Sequence, residues 1–102
     1  MTLEELNTLL NTASLPVAFD HFKEPQRLPY IVYIVAGNDT EAADNVAWSV
    51  EQRVQVELYS DNKDQALEET VENILSGFYF EKDEGYLTDD EMYMVTYTFS
   101  LI

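Results

Sequence analysis

The sequence predicts an α+β fold: a mostly antiparallel sheet with two amphipathic helices packed on one face. Three observations carry this expectation. Two segments space their apolar residues by threes and fours, two long stretches alternate apolar and polar residues, and the order reads helix, strand pair, helix, strand pair. The length of 102 residues fits one domain over 1–102 and leaves no room for a second core.

The first helix is expected over about residues 3 to 12. Thr2 followed by Glu5 is a capping-box pattern, in which each side chain satisfies an exposed N–H at the helix start. Leu3, Leu6, Leu9, Leu10 and Ala13 form one apolar stripe that ends near Ser14 and Pro16. A polar connector follows between Pro16 and Pro29, with room for a short extended piece over 17–22 and with Phe19 and Phe22 as anchors. Tyr30 to Val35 is a β-branched and aromatic run bounded by Pro29 and Gly37, as expected of a central strand covered on both faces. Gly37 to Asn45 holds turn formers and acids without periodicity and reads as a loop of about nine residues.

From Trp48 onward, Val50, Val54, Val56 and Leu58 alternate with Glu51, Arg53, Gln55 and Glu57, the signature of a long half-exposed strand. Asp61 or Asn62 is the expected cap of a second helix over about 63–76. Its apolar face is Ala66, Leu67, Val71, Ile74 and Leu75, its solvated face Glu68, Glu69 and Glu72, and Gly77 stands at the C-terminal cap. Tyr93, Val95, Tyr97, Phe99 and Leu101 alternate with polar partners, which predicts a closing hairpin of 78–87 with 91–101. The α-β-β-α-β-β order hints at duplication, but the halves share no alignable pattern.

Twenty acidic against five basic side chains give a net charge of −15 and disfavour binding to phosphate backbones or anionic lipid. Hydrophobic residues at 46% supply enough apolar surface for a folded core despite that charge. The absence of cysteine removes disulfides, thiolate metal sites and cysteine nucleophiles, and fits a reducing compartment. No apolar run approaches the roughly 18 residues of a membrane span, and the amino terminus lacks a signal-peptide pattern. The expectation is a soluble, cytoplasmic chain.

Chemistry finds little foothold. Asp20 beside His21 could orient an imidazole, but sequence neighbours rarely bond in the required geometry and no serine is placed near them, so an ordinary connector histidine is the expected reading. The tract Glu81 to Glu91 holds six carboxylates. An EF-hand loop needs oxygen ligands at positions 1, 3, 5 and 12 with glycine at 6. Starting at Asp83 places Gly85 third and Leu87 fifth, so the tract reads as a solvated turn with at most incidental Ca²⁺ or Mg²⁺ affinity. Asp39, Glu41 and Asp44 likewise read as soluble loop surface. Gly37, Gly77 and Gly85 stand too far apart for a phosphate cradle. Tyr30, Tyr33, Tyr93 and Tyr97 are expected to pack within the sheet, while Trp48, Tyr59 and Tyr79 sit where aromatics also mark interfaces. No cofactor, metal or catalytic residue is expected.

Several stretches together resemble the small tail-completion, or tail-terminator, proteins of the head–tail module of long-tailed phages and prophages of Gram-positive bacteria. They are Phe19-Asp-His-Phe22, Leu28-Pro-Tyr-Ile-Val-Tyr33, Ala43-Asp-Asn45 before Trp48, Arg53-Val-Gln-Val-Glu-Leu-Tyr59, Glu68-Glu-Thr-Val-Glu-Asn-Ile-Leu75 and Met94-Val-Thr-Tyr97. The likeness is one of order and spacing over most of the chain. It implies an α+β subunit without catalysis that closes into a ring, commonly a hexamer, caps the tail tube protein and docks the head connector protein. It also implies assembly in the bacterial host cytoplasm and a place at the head–tail junction of the virion. The candidate oligomer or partner contacts are Asp39, Glu41, Asp44, Asp83, Glu84, Asp89 and Asp90, on the two acidic segments Gly37–Asn45 and Glu81–Glu91 expected to project from the sheet, with Trp48 at the start of the strand after the first. Alternatives are a head-completion or stopper protein of the same module, and an acidic DNA-mimic inhibitor. The mimic is opposed by acids gathered in turns and on one helix face rather than in two rows.

Overall fold

The computed structural model describes the backbone of residues 1–43 and 46–101, and the side chains of 1–37 and 52–101. It is the expected α+β fold: a five-stranded sheet of order β1-β2-β3-β5-β4 with two helices on one face. Helix α1 spans Leu3–Leu10 and is followed by a 3₁₀ turn over Asn11–Ala13. Both halves of the predicted capping box form: Thr2 Oγ1 accepts from the Glu5 N–H at 3.1 Å, and the Thr2 N–H donates to Glu5 Oε1 at 3.0 Å. Ser14, in the left-handed region at φ 62°, ends the turn and sends the chain into β1, Val17–Phe19.

Strand β1 runs parallel to β2, and all other pairings are antiparallel. Strand β2 spans Tyr30–Ala43 and β3 spans Val46–Ser60. The expected loop over Gly37 to Asn45 is therefore corrected through Ala43, because that segment continues β2 with a register shift between Val35 and Gly37; Asp44 and Asn45 lie outside the described residues. The physical reason lies in β3, whose long alternation needs a hydrogen-bonding partner well past Val35. Position is corrected as well: β3 is the middle strand, and β2 lies between it and the short edge strand β1.

Helix α2 spans Gln65–Ile74. Its cap is Asp64, not Asp61 or Asn62, with Oδ1 accepting from the Ala66 and Leu67 N–H groups at 3.1 and 3.2 Å. Its C-cap is Leu75, and no described glycine, Gly77 included, takes a positive φ. The closing hairpin is β4, Glu81–Leu87, paired with β5, Met92–Leu101. Most of the expected acidic turn at 81–91 is thus the edge strand β4, and only the residues between the two strands turn.

The core lies between the sheet and both helices. Leu6 and Leu10 of α1 and Val71 and Leu75 of α2 meet Ile31, Tyr33, Val54, Val56, Leu58, Val95, Tyr97, Phe99 and Leu101. Val54, Val56 and Leu58 of β3 and Val95, Tyr97, Phe99 and Leu101 of β5 are buried in the alternation read from the sequence, while Tyr93 is half-buried and Thr96 is buried on the other face. The opposite sheet face carries no helix. The connector covers one corner of it, where Phe22 meets Tyr30 edge-on at 5.3 Å and Tyr30 lies against Tyr59 at 5.1 Å.

Among the described residues, β3 has no β5 neighbour beyond the Gln52–Leu101 pair, and β2 has no β1 neighbour beyond the Phe19–Tyr33 pair. From there β2 and β3 pair with each other, as a two-stranded ribbon of described residues from Gly37 and Arg53 out to Ala43 and Val46. The 15 residues of β3 reach about 48 Å at ~3.4 Å each. This agrees with the molecule's 49 Å long dimension.

Candidate functional site

Three features rise above the ordinary surface. The most organised lies where α2 meets β4. The pairings Lys82 with Tyr97 and Glu84 with Val95 turn Lys82 and Glu84 toward the helix-covered face, under Glu68 and Glu72 of α2. Lys63, just before the helix, donates to both oxygens of Glu68 at 3.0 and 3.1 Å and also to Glu84. Lys82 donates to Glu68 at 2.8 Å and to Glu72 at 2.9 Å. Tyr97 donates its hydroxyl to Glu72 at 2.9 Å, and Tyr93 donates to Glu84 at 2.6 Å.

Glu68 is 3% exposed, so its expected place on a solvated helix face is corrected; Ala66, expected on the apolar face, is exposed instead. A carboxylate in such a position requires paired charge and hydrogen bonds. Two ammonium groups supply both. Hydrogen bonding to Glu84 and then to Glu68 raises the Lys63 pKa, and bonding to Glu68 and then Glu72 raises that of Lys82. Against the upward push of burial, the bonds from Lys82 and Tyr97 hold Glu72 below the usual carboxylate range. Bonds from Lys63 and Tyr93 do the same for Glu84. Burial, reinforced by the Glu72 bond, raises Tyr97. Both lysines are thus held protonated and their lone pairs are spent, which makes the cluster a structural tie and a poor nucleophile or base.

The second feature is a cleft of about 510 Å³ on the bare sheet face, between the connector and the β4–β5 turn. Asp20, His21, Lys23, Tyr59 and Asp90 are among the groups that line it. His21 Nδ1 does reach Asp20 Oδ2, at 2.8 Å, contrary to the expectation that sequence neighbours would not bond. The cause is local: Asp20 takes φ 68°, and the His21 N–H turns back to donate to the Phe19 carbonyl at 2.7 Å. The side chains are 72% and 62% exposed, and no serine is among the described residues that line the cleft.

The third feature is the ribbon. Its register sets Asp39 opposite Glu51 and Glu41 opposite Ser49. Trp48 lies on its β3 side, and Asp44 lies outside the described residues. The other predicted contacts are elsewhere. Asp83 and Glu84 sit on β4 with Glu84 inside the ionic cluster, while Asp89 and Asp90 lie in the turn between β4 and β5. That turn closes the sheet end defined by the Ser60–Tyr93 pair, whereas the ribbon leaves the end defined by Gln52–Leu101. Of the seven described residues, Asp39, Glu41 and Trp48 therefore lie on the ribbon, Asp89 and Asp90 at the opposite end of the sheet, and Asp83 and Glu84 on β4 between them, so they form no single site.

Sequence reasoning missed the ionic cluster. The available signal was Lys63 and Lys82, each a lone cation within an acidic stretch, on either side of a glutamate-rich helix. Tyr33 and Tyr97 are core as expected, Tyr30 and Tyr93 are half-buried, and Tyr79 stands 95% exposed. Among the described residues no group of three or more His, Cys, Asp or Glu could hold a metal ion, and no helix is long and apolar enough to cross a membrane. No protein-family model matches the chain, and no curated protein sequence matches it.

Proposed function

We propose that the chain is a structural assembly subunit that associates head to tail with copies of itself into a ring. In this reading it is a tail terminator that caps a phage tail tube and joins it to the head connector, without catalysis. The observation that carries the reading is the β2–β3 ribbon, which runs on from one end of the sheet with no third strand beside it among the described residues. A two-stranded ribbon is marginal in water by itself and gains stability by lying on another surface. Unlike ends also suit a heterologous contact, the kind that closes rings when the rotation allows.

Charge bears on the same reading. Two of the five cations are locked in the α2–β4 cluster, leaving Lys23, Arg27 and Arg53 to face any polyanion. A ring of such subunits presents a wall that repels a DNA duplex and lets it pass without sticking. The same charge makes copies repel one another, so association strengthens as salt screens it. Size determination from low to high salt, with negative-stain imaging, tests the proposal. Closed multi-subunit rings that are lost when residues 38–51 are replaced by an Asn-Gly turn in a still-folded chain support it. A monomer at every salt concentration, or rings indifferent to the ribbon, would remove it.

A further inference from the structure

The two edges of the sheet are held in different ways. At the β1 edge, Val17 packs against the core. At the β4 edge no side chain is buried: six of its seven residues are exposed and Leu87 is half-buried. The chain is well anchored on both sides of this strand. Before it, Phe78 stacks on Phe99 at 4.6 Å and Phe80 meets Tyr97 edge-on at 5.2 Å. After it, β5 enters the core through Val95, Tyr97 and Phe99. Strand β4 is therefore a weakly packed segment between firm anchors. Besides its ladder to β5, side-chain bonds tie it to the helix layer: Lys82 to Glu68 and Glu72, and Glu84 to Lys63.

We propose that Lys63, Glu68, Glu72, Lys82 and Glu84 form a salt-sensitive latch, whose release lets β4 leave the sheet as a unit while the rest of the chain stays folded. The groups facing one another come from every element at the junction: Lys63 ahead of α2, Glu68 and Glu72 on α2, Lys82 and Glu84 on β4, and Tyr93 and Tyr97 on β5. Lys63, Lys82, Glu72 and Glu84 each keep 30 to 40% of their side chains in contact with solvent, so mobile ions reach these pairs. Glu68 remains behind with Lys63 when β4 departs, so opening does not strand a buried charge. The open state bares the outer edge of β5, a row of backbone donors and acceptors able to accept an extended strand. This holds whether or not the chain forms rings.

Hydrogen exchange on the full chain tests the latch, with the bonded amides of β4 compared with those of β3 at 20 mM and 1 M NaCl. Salt relieves the repulsion among a net charge of −15 and so slows or leaves unchanged the exchange of β3. It weakens the latch and speeds exchange of β4 about fivefold. Lys82→Met at low salt reproduces the acceleration in β4 and leaves β3 unchanged. Parallel responses of the two strands to salt would overturn the proposal, as would a Lys82→Met variant in which both accelerate equally. The wild-type salt comparison decides the matter even where the variant is too unstable to fold.

Discussion

Glu68→Gln separates two accounts of helix α2. A glutamate on a solvated face of a molecule with charge −15 should be replaceable at no cost, and losing one negative charge should even relieve repulsion. The structure gives the opposite expectation. The Glu68 carboxylate is 3% exposed and accepts from two ammonium groups through three contacts of 2.8 to 3.1 Å. An amide of the same shape keeps one acceptor and aims its NH₂ at an ammonium. Hydrogen bonds to charged groups contribute about 1.5–3 kcal/mol each in mutational series. Both lysines keep a second carboxylate and contact with water, so the low end applies and the substitution costs about 2 kcal/mol. With a urea slope near ~2 kcal/mol per molar, the unfolding midpoint falls by about 1 M. Glu69→Gln is the control, since it makes the same charge change one residue along the helix at an exposed position. Equal midpoints for the two variants would refute the account of the cluster. A cycle with Lys82→Met adds a check, because residues sharing one network give non-additive losses.

The remaining predictions concern pH and capping. Glu72 and Glu84 are held below their ordinary value in the fold, so the stability they contribute is present above the usual carboxylate range and lost as pH falls through their depressed values. Lys63 and Lys82 are held above theirs, so their contribution is complete below the ordinary lysine range and lost only as pH rises through the raised values. Thermal melts should therefore show a plateau from about pH 5 to pH 10 with a fall on the acid side, and Glu72→Gln should flatten that fall. Asp64→Ala removes the acceptor of two N–H groups at the α2 start and should cost about 1 kcal/mol, whereas Asp61→Ala, at the position favoured by sequence pattern, should leave the urea midpoint unchanged.

Local pattern identified the elements because each is set by neighbouring residues. The Thr2 and Glu5 box is three residues wide, and the alternation of Val54, Val56 and Leu58 needs only a pleated strand with one wet face. What escaped depends on partners far along the chain. After Ser60, the three Asx residues Asp61, Asn62 and Asp64 could each cap a helix. Ser60 Oγ donates to the Asn62 carbonyl at 2.7 Å, which fixes that stretch as a turn and delays the helix to Asp64. Gly37 and the acids after it look like a loop by composition, yet the pairing demand of β3 draws them into the sheet. Glu68 looks solvated on a helical wheel because its two cations lie off the helix, Lys63 five residues before it and Lys82 14 residues after it on another element. The candidate contacts were legible as two acidic segments, but their separation along the sheet follows from register, which spacing alone does not reveal.

The proposed ring is tested most directly by mass measurement of the full-length chain in solution across a salt series. The account predicts a discrete multi-subunit species whose share grows as ionic strength rises and which disappears when the ribbon of residues 38–51 is removed. A monomer throughout the series, or an oligomer unaffected by loss of the ribbon, would contradict it.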